Sequence, residues 1–91
     1  MKIKIQVTRE DIKHGVRKSS RSCPIARAIQ REGWIPVAGA AVVSATCEKT
    51  GKFYQVPTPI QLREFMLVFD MYGSGFVQPF DYELEMKEGE H

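Results

Sequence analysis

The chain is poor in the residues that chemistry needs. Its 91 residues include two cysteines, Cys23 and Cys47, and two histidines. The cysteines lie far apart and form no CxxC pair, which excludes a disulfide framework and a dithiol redox motif. Both read as free thiols in a reducing compartment. A zinc site needs about four ligands at characteristic spacings, and no such set is present. A catalytic Cys–His pair would need an orienting third group and a cleft. His14 therefore reads as a surface residue, and Cys23 as a helix-start or core residue. No glycine-rich phosphate loop occurs. No apolar run approaches the roughly 18 residues required to cross a bilayer. The N-terminus alternates charge with apolar residues and lacks the apolar core of a signal peptide. These absences lead us to expect a soluble cytoplasmic protein that is not an enzyme. They imply no cofactor, no metal, no membrane and no small-molecule substrate.

What is present is charge, unevenly placed. Residues 1–31 carry nine of the thirteen Lys and Arg and only two acids, Glu10 and Asp11. Residues 70–91 carry Asp70, Asp81, Glu83, Glu85, Glu88 and Glu90 against Lys87 alone. The net charge of +2 conceals this split. Clustered cations attract phosphate and clustered carboxylates repel or imitate it, so the pattern points to a charged macromolecular partner.

A chain of this length forms one domain, residues 1–91, with one core. Ile3, Ile5 and Val7 alternate with Lys2, Lys4 and Gln6, the period of a half-buried strand. Thr8 precedes a short helix with Glu10 and Asp11 in its first turn, and Gly15 is its expected stop. Ser22 or Cys23 followed by Pro24 opens a second helix that Gly33 ends. Residues 35–47 are small and β-branched, as in a buried strand. Gly39 within them marks a bulge or a close backbone approach. The turn Glu48–Gly51 leads into Lys52–Val56, a hairpin signal. Thr58, as a capping hydroxyl before Pro59, starts a third helix that runs to about Tyr72 and stops at Gly73. Phe80, Tyr82, Leu84 and Met86 alternate with acids in a last strand. The expectation is an α+β fold. It has a four-stranded, mainly antiparallel sheet from residues 2–7, 37–46, 52–56 and 80–86, and helices near 9–14, 24–32 and 59–72. The first and last strands should be neighbours, with Ile3, Ile5, Val7, Tyr82 and Leu84 sharing a core with Phe65 and Phe69.

Three features are candidates for contact. The loop after the first helix and its flanks hold Lys13, Arg17, Lys18, Arg21, Arg27 and Arg31, with Ser19 and Ser20 as added hydrogen-bonding groups. Such residues neutralise phosphates, although a loop of this kind can equally be a solvated surface. The end strands face each other with opposite charge, Lys2 and Lys4 against Asp81, Glu83 and Glu85. These pair across strands, form an acidic contact face, or do both. On the third helix, Ile60, Leu67 and Met71 form an apolar line opposite the core-facing Leu62, Phe65 and Phe69. That line is a protein-binding surface or homodimer seam, or is covered by another segment of the chain. Replacing Arg17, Lys18 and Arg21 by Glu is expected to spare folding and weaken binding.

At Val7-Thr8, Ile12 and Gly15, at Cys23-Pro24-Ile25-Ala26 and Ala28, and at Val77-Gln78-Pro79-Phe80-Asp81-Tyr82-Glu83-Leu84, the sequence resembles a loose group of small, mostly uncharacterised proteins of bacteriophages and some bacteria. The resemblance covers both ends of the chain and little of residues 34–57. In size, charge polarisation and α+β pattern the chain also resembles phage-encoded anti-CRISPR proteins that act on type I surveillance complexes. That class shares no motif, so it transfers no functional residue. It implies a non-enzymatic inhibitor that binds a host crRNA–protein complex and blocks target DNA. The basic end would then meet RNA backbone or acidic protein, and the acidic end Lys- or Arg-rich subunits. The alternative is a small phage nucleic-acid-binding or regulatory protein acting directly on DNA or RNA.

Overall fold

The computed structural model describes residues 1–89; Glu90, one of the acids counted above, lies outside them. The chain forms β1 (Lys2–Val7), α1 (Arg9–His14), α2 (Pro24–Arg31), β2 (Trp34–Ala38), β3 (Val42–Cys47), β4 (Phe53–Pro57), α3 (Ile60–Tyr72), β5 (Phe80–Glu85) and β6 (Lys87–Glu88). A single 3-10 turn, Ser74–Phe76, precedes β5. The fold is α+β, as expected.

The strands are shared between two sheets. β1 and β5 form an antiparallel ribbon in the register Ile3 opposite Leu84 and Ile5 opposite Tyr82. The four-stranded antiparallel sheet has the order β2-β3-β4-β6. The four strands expected to form one sheet are thus divided, and two further strands complete the larger sheet. The run 35–47 is a hairpin, not one strand. Its turn is closed by the Gly39 N–H donating to the Val42 carbonyl at 3.0 Å. A Cβ on Gly39 would stand 3.1 Å from that carbonyl, so glycine suits the close approach. The last strand changes partner at the buried Met86: before it the chain pairs with β1, after it with β4. The Met86 N–H donates to the Met1 carbonyl at 2.7 Å and holds the pivot to the start of the chain.

Alternation explains the ribbon. Ile3, Ile5 and Val7 point inward and their neighbours outward. They share one core with Leu84, Ile25, Ile29, Leu62 and Phe69, and Tyr82 and Phe65 pack at its edge. α2 buries Pro24, Ile25, Ala26, Ala28 and Ile29. It packs on both β1 and β2, so this helix joins the two sheets.

Local signals set the helix ends. Thr8 and Asp11 form a reciprocal capping box at the start of α1. Cys23 caps α2, its Sγ accepting from the Ala26 N–H at 3.4 Å. Gly15 ends α1 where a Cβ would lie 2.6 Å from the Pro24 ring, which lets α1 press onto the first turn of α2. α3 stops at Gly73, whose φ of 87° favours glycine. Thr58 does not cap α3. Its hydroxyl donates instead to the Gly39 carbonyl at 2.6 Å, and Pro59 takes the cap position without a side-chain bond. No helix among the described residues is long and apolar enough to cross a membrane.

Candidate docking face

The ribbon brings the basic start of the chain against its acidic end. Lys2, Lys4 and Gln6 stand opposite Glu85, Glu83 and Asp81. Lys2 Nζ lies 3.4 Å from Glu83 Oε1, on a diagonal across the strands. The two charged ends of the sequence therefore do not become two charged poles. They form one mixed outer face, and part of the polarity is used internally.

A second part is used at Asp11. Its side chain is completely buried. It accepts from the Thr8 N–H at 2.9 Å, from Arg27 Nε at 3.4 Å and from Arg31 Nη2. Arg31 also donates from Nη1 to the Gln6 carbonyl at 2.9 Å, which ties α2 to β1. Burial alone would push the Asp11 carboxyl up. The hydrogen bonds from Arg31 and the Thr8 backbone outweigh it and hold the group below its ordinary value. The arginines are needed here because an unpaired buried carboxylate is costly.

The basic loop, residues 15–23, is pinned at several points. Its ends are joined by the Val16 N–H donating to the Ser22 carbonyl at 2.8 Å. The Ala38 N–H donates to the Ser20 carbonyl at 2.7 Å and fastens the loop to β2. Arg17 fastens it to α3. Its Nε and Nη2 donate to the Asp70 carbonyl at 3.0 and 2.7 Å, and Nη2 also reaches the Met71 carbonyl at 2.8 Å. The last carbonyls of a helix lack intrahelical partners and carry partial negative charge. α3 has no basic residue in its own last turn, and Arg17 supplies the missing cation. Lys18 follows with φ 61° and donates its backbone N–H to Asp70 Oδ1 at 2.8 Å. A non-glycine residue in this left-handed region costs about 1 kcal/mol, which the clamp offsets.

The six basic candidates thus divide. Arg17, Arg27 and Arg31 hold the fold together. The side chains of Lys13, Lys18 and Arg21 are exposed and make no hydrogen bond or ion pair among the described residues. The expectation that Arg17, Lys18 and Arg21 can all be reversed without loss of stability is corrected for Arg17, whose guanidinium closes the end of α3. His14 lies 3.1 Å from Glu10 and belongs to α1.

A groove of about 420 Å³ runs between this loop and α3. Lys18 stands on one rim and Arg63, Leu67 and Asp70 on the other, above a floor that includes Pro24 and Phe69. Nothing in the local sequence announces it, because loop and helix lie some 50 residues apart and are joined by the Arg17 clamp and the Lys18 N–H bond to Asp70. The basic loop and the outer apolar line, separate in sequence, approach each other here through Lys18 and Leu67.

On α3, Ile60, Leu67 and Met71 are all exposed, opposite the buried Leu62, Met66 and Phe69. No other segment among the described residues covers them. The cysteines take ordinary structural places. Cys23 is buried at its helix cap, where burial pushes its thiol up. Cys47 is half-buried at the β3–β4 turn, where the Thr50 hydroxyl and the Thr50 and Lys49 backbone hold its thiol down. No cluster of three or more His, Cys, Asp or Glu that could hold a metal ion occurs among the described residues. No protein-family model matches the chain, and neither a curated protein nor a solved structure does.

Proposed function

We propose that the protein acts without catalysis, as a docking protein that binds a ribonucleoprotein through Lys13, Lys18 and Arg21. The observation that carries this reading is a set of three cations whose side chains have no partner among the described residues, two of them on a loop fixed to both α3 and β2. A rigidly held cationic loop loses little conformational freedom on binding, so more of its attraction to phosphate survives as affinity. The resemblance in size, charge distribution and α+β pattern supports a host crRNA–protein surveillance complex in the cytoplasm as the target, with the protein as its phage-encoded inhibitor. The outer carboxylates of β5 add less than the sequence polarity implies, since Glu83 already pairs with Lys2.

The test is binding to the assembled complex beside binding to free RNA and DNA, each over a range of salt. Tight binding to the complex and weak binding to free nucleic acid are expected. Replacing Lys13, Lys18 and Arg21 by Glu should weaken the former strongly. If those cations meet single-stranded phosphates, the slope of log affinity against log salt should fall by about 2. Tight, salt-sensitive binding to free DNA or RNA would instead identify a direct nucleic-acid-binding regulator.

A further inference from the structure

We propose that the outward face of α3 binds a second copy of this chain, helix against antiparallel helix about a two-fold axis. The central line of that face is apolar and open: Ile60 is 64% exposed, Leu67 58% and Met71 55%. Steps of seven and four keep these three side chains in one stripe. Arg63 and Asp70, also seven apart, border one edge of it, and Gln61 and Val68 border the other. The order of charges chooses the partner. When two helices pack antiparallel, equivalent edges face each other. Arg63 of one copy then faces Asp70 of the other, and the two-fold repeats the pair. The same register sets Ile60 against Met71 and Leu67 against the methylene stem of Glu64. A parallel arrangement would set Arg63 and Asp70 against Gln61 and Val68, where neither finds an opposite charge. The stripe thus complements itself in one orientation.

Arg63 is available for this, since it makes no hydrogen bond or ion pair among the described residues. Asp70 uses Oδ1 for the Lys18 N–H and keeps Oδ2 free of any such bond. Glu64 is the one misfit, a carboxylate beside an apolar line; its stem can lie along the seam with the charge at the rim. With 13 residues, α3 is about 20 Å long, so the seam is short and the association is of micromolar strength or weaker. This assignment does not rest on the ribonucleoprotein reading, because no contact of the seam uses the side chain of Lys13, Lys18 or Arg21, although Lys18 adjoins it at Asp70.

Sedimentation velocity of the full chain, from low micromolar to millimolar concentration, tests it. The wild type should pass from monomer to dimer. Leu67→Asp should weaken self-association roughly tenfold or more while the melting curve stays cooperative. Glu64→Leu should strengthen it. Arg63→Glu alone and Asp70→Lys alone should each be impaired, the first by setting carboxylate against carboxylate and the second cation against cation. An equimolar mixture of those two variants should regain a dimer. One of its two seam pairs then joins the introduced carboxylate to the introduced ammonium, and the other keeps the native contact of Arg63 with Asp70. A wild type that remains monomeric at millimolar concentration would overturn the proposal, as would a folded Leu67→Asp that associates normally. Folded charge variants whose mixture associates no better than each alone would equally overturn the antiparallel pairing. Should Asp70→Lys lose its fold with the Lys18 contact, Leu67→Asp and Glu64→Leu still decide the seam.

Discussion

Two groups of basic residues, alike in the sequence, have opposite fates in the structure. Arg17, Arg27 and Arg31 commit their guanidiniums to partners within the chain and hold it together while staying partly in water. Lys13, Lys18 and Arg21 are exposed, and their side chains make no ion pair among the described residues. The division follows residue type in part. A guanidinium offers several donors in a fixed plane and can serve a carboxylate and a carbonyl together, as Arg31 does with Asp11 and Gln6. A lysine offers a hydrated point charge and stays in water at lower cost. Arg21 shows that type does not decide alone, since it is an arginine with no partner among the described residues. A dense basic segment therefore need not be a binding segment. Half of this one is structural reinforcement for a buried carboxylate and a helix end.

The largest expected effect lies at the centre of the internal group. Asp11→Ala removes the acceptor of Arg27 and Arg31 and one half of the α1 capping box. Breaking a buried pair of this kind costs about 3 kcal/mol, the lower end of the usual range because both arginines keep partial access to water. Urea unfolding monitored by circular dichroism measures it.

The same carboxylate sets a pH dependence. Its folded pKa lies below the unfolded value of about 3.9, so its contribution is complete above that pH. It is lost as pH falls through the folded pKa. Stability should fall on acidification below about pH 4, and Asp11→Asn should flatten that limb of the curve. An unchanged acid limb in Asp11→Asn would assign the effect to other carboxylates.

Arg17→Ala comes next. It leaves the last carbonyls of α3 to water and releases the loop, at about 1–2 kcal/mol for charge-assisted bonds that are largely exposed. Amide exchange of α3's last turn and of residues 16–22 should rise together. Faster exchange in only one of them would show that loop and helix end are not coupled through this side chain.

The smallest effect separates charge from conformation at one position. Lys18→Gly relieves the left-handed backbone and removes an exposed ammonium, so thermal stability should be unchanged or higher by less than about 1 kcal/mol. Ribonucleoprotein binding should nevertheless weaken. A stability loss would mean that the lysine side chain has an internal role.

Much of the fold was legible because its signals are local or periodic. Ile3, Ile5 and Val7 fixed the inner face of β1. The opposite charge on the last strand fixed its neighbour, and Gly73 fixed the end of α3. What escaped reading depends on distant partners. Residues 35–43 carry no polar side chain, so the turn at Gly39 has no polar marker. The transfer of the last strand between sheets occurs at Met86, which alternates like its neighbours. Thr58 has the spacing of a cap, but its hydroxyl is taken by the Gly39 carbonyl and not by the α3 backbone donors it was expected to bind. At the candidate site Arg63 across the groove was not singled out, while the basic residues of the loop and its flanking helices were all visible. Their division was not, because Arg17 meets α3 some 50 residues along the chain and Asp11 looks like any first-turn acid until its burial is known.

Two triple variants measure that division most directly. Lys13, Lys18 and Arg21 are replaced by Ala in one protein, and Arg17, Arg27 and Arg31 by Ala in the other. Both lose the same formal charge, so a general change in charge repulsion cancels. The unfolding free energy in urea should stay within about 1 kcal/mol of wild type for the first. For the second it should fall by at least about 3 kcal/mol, or the protein should fail to fold. Equal losses in the two proteins, or a larger loss in the first, would contradict the account.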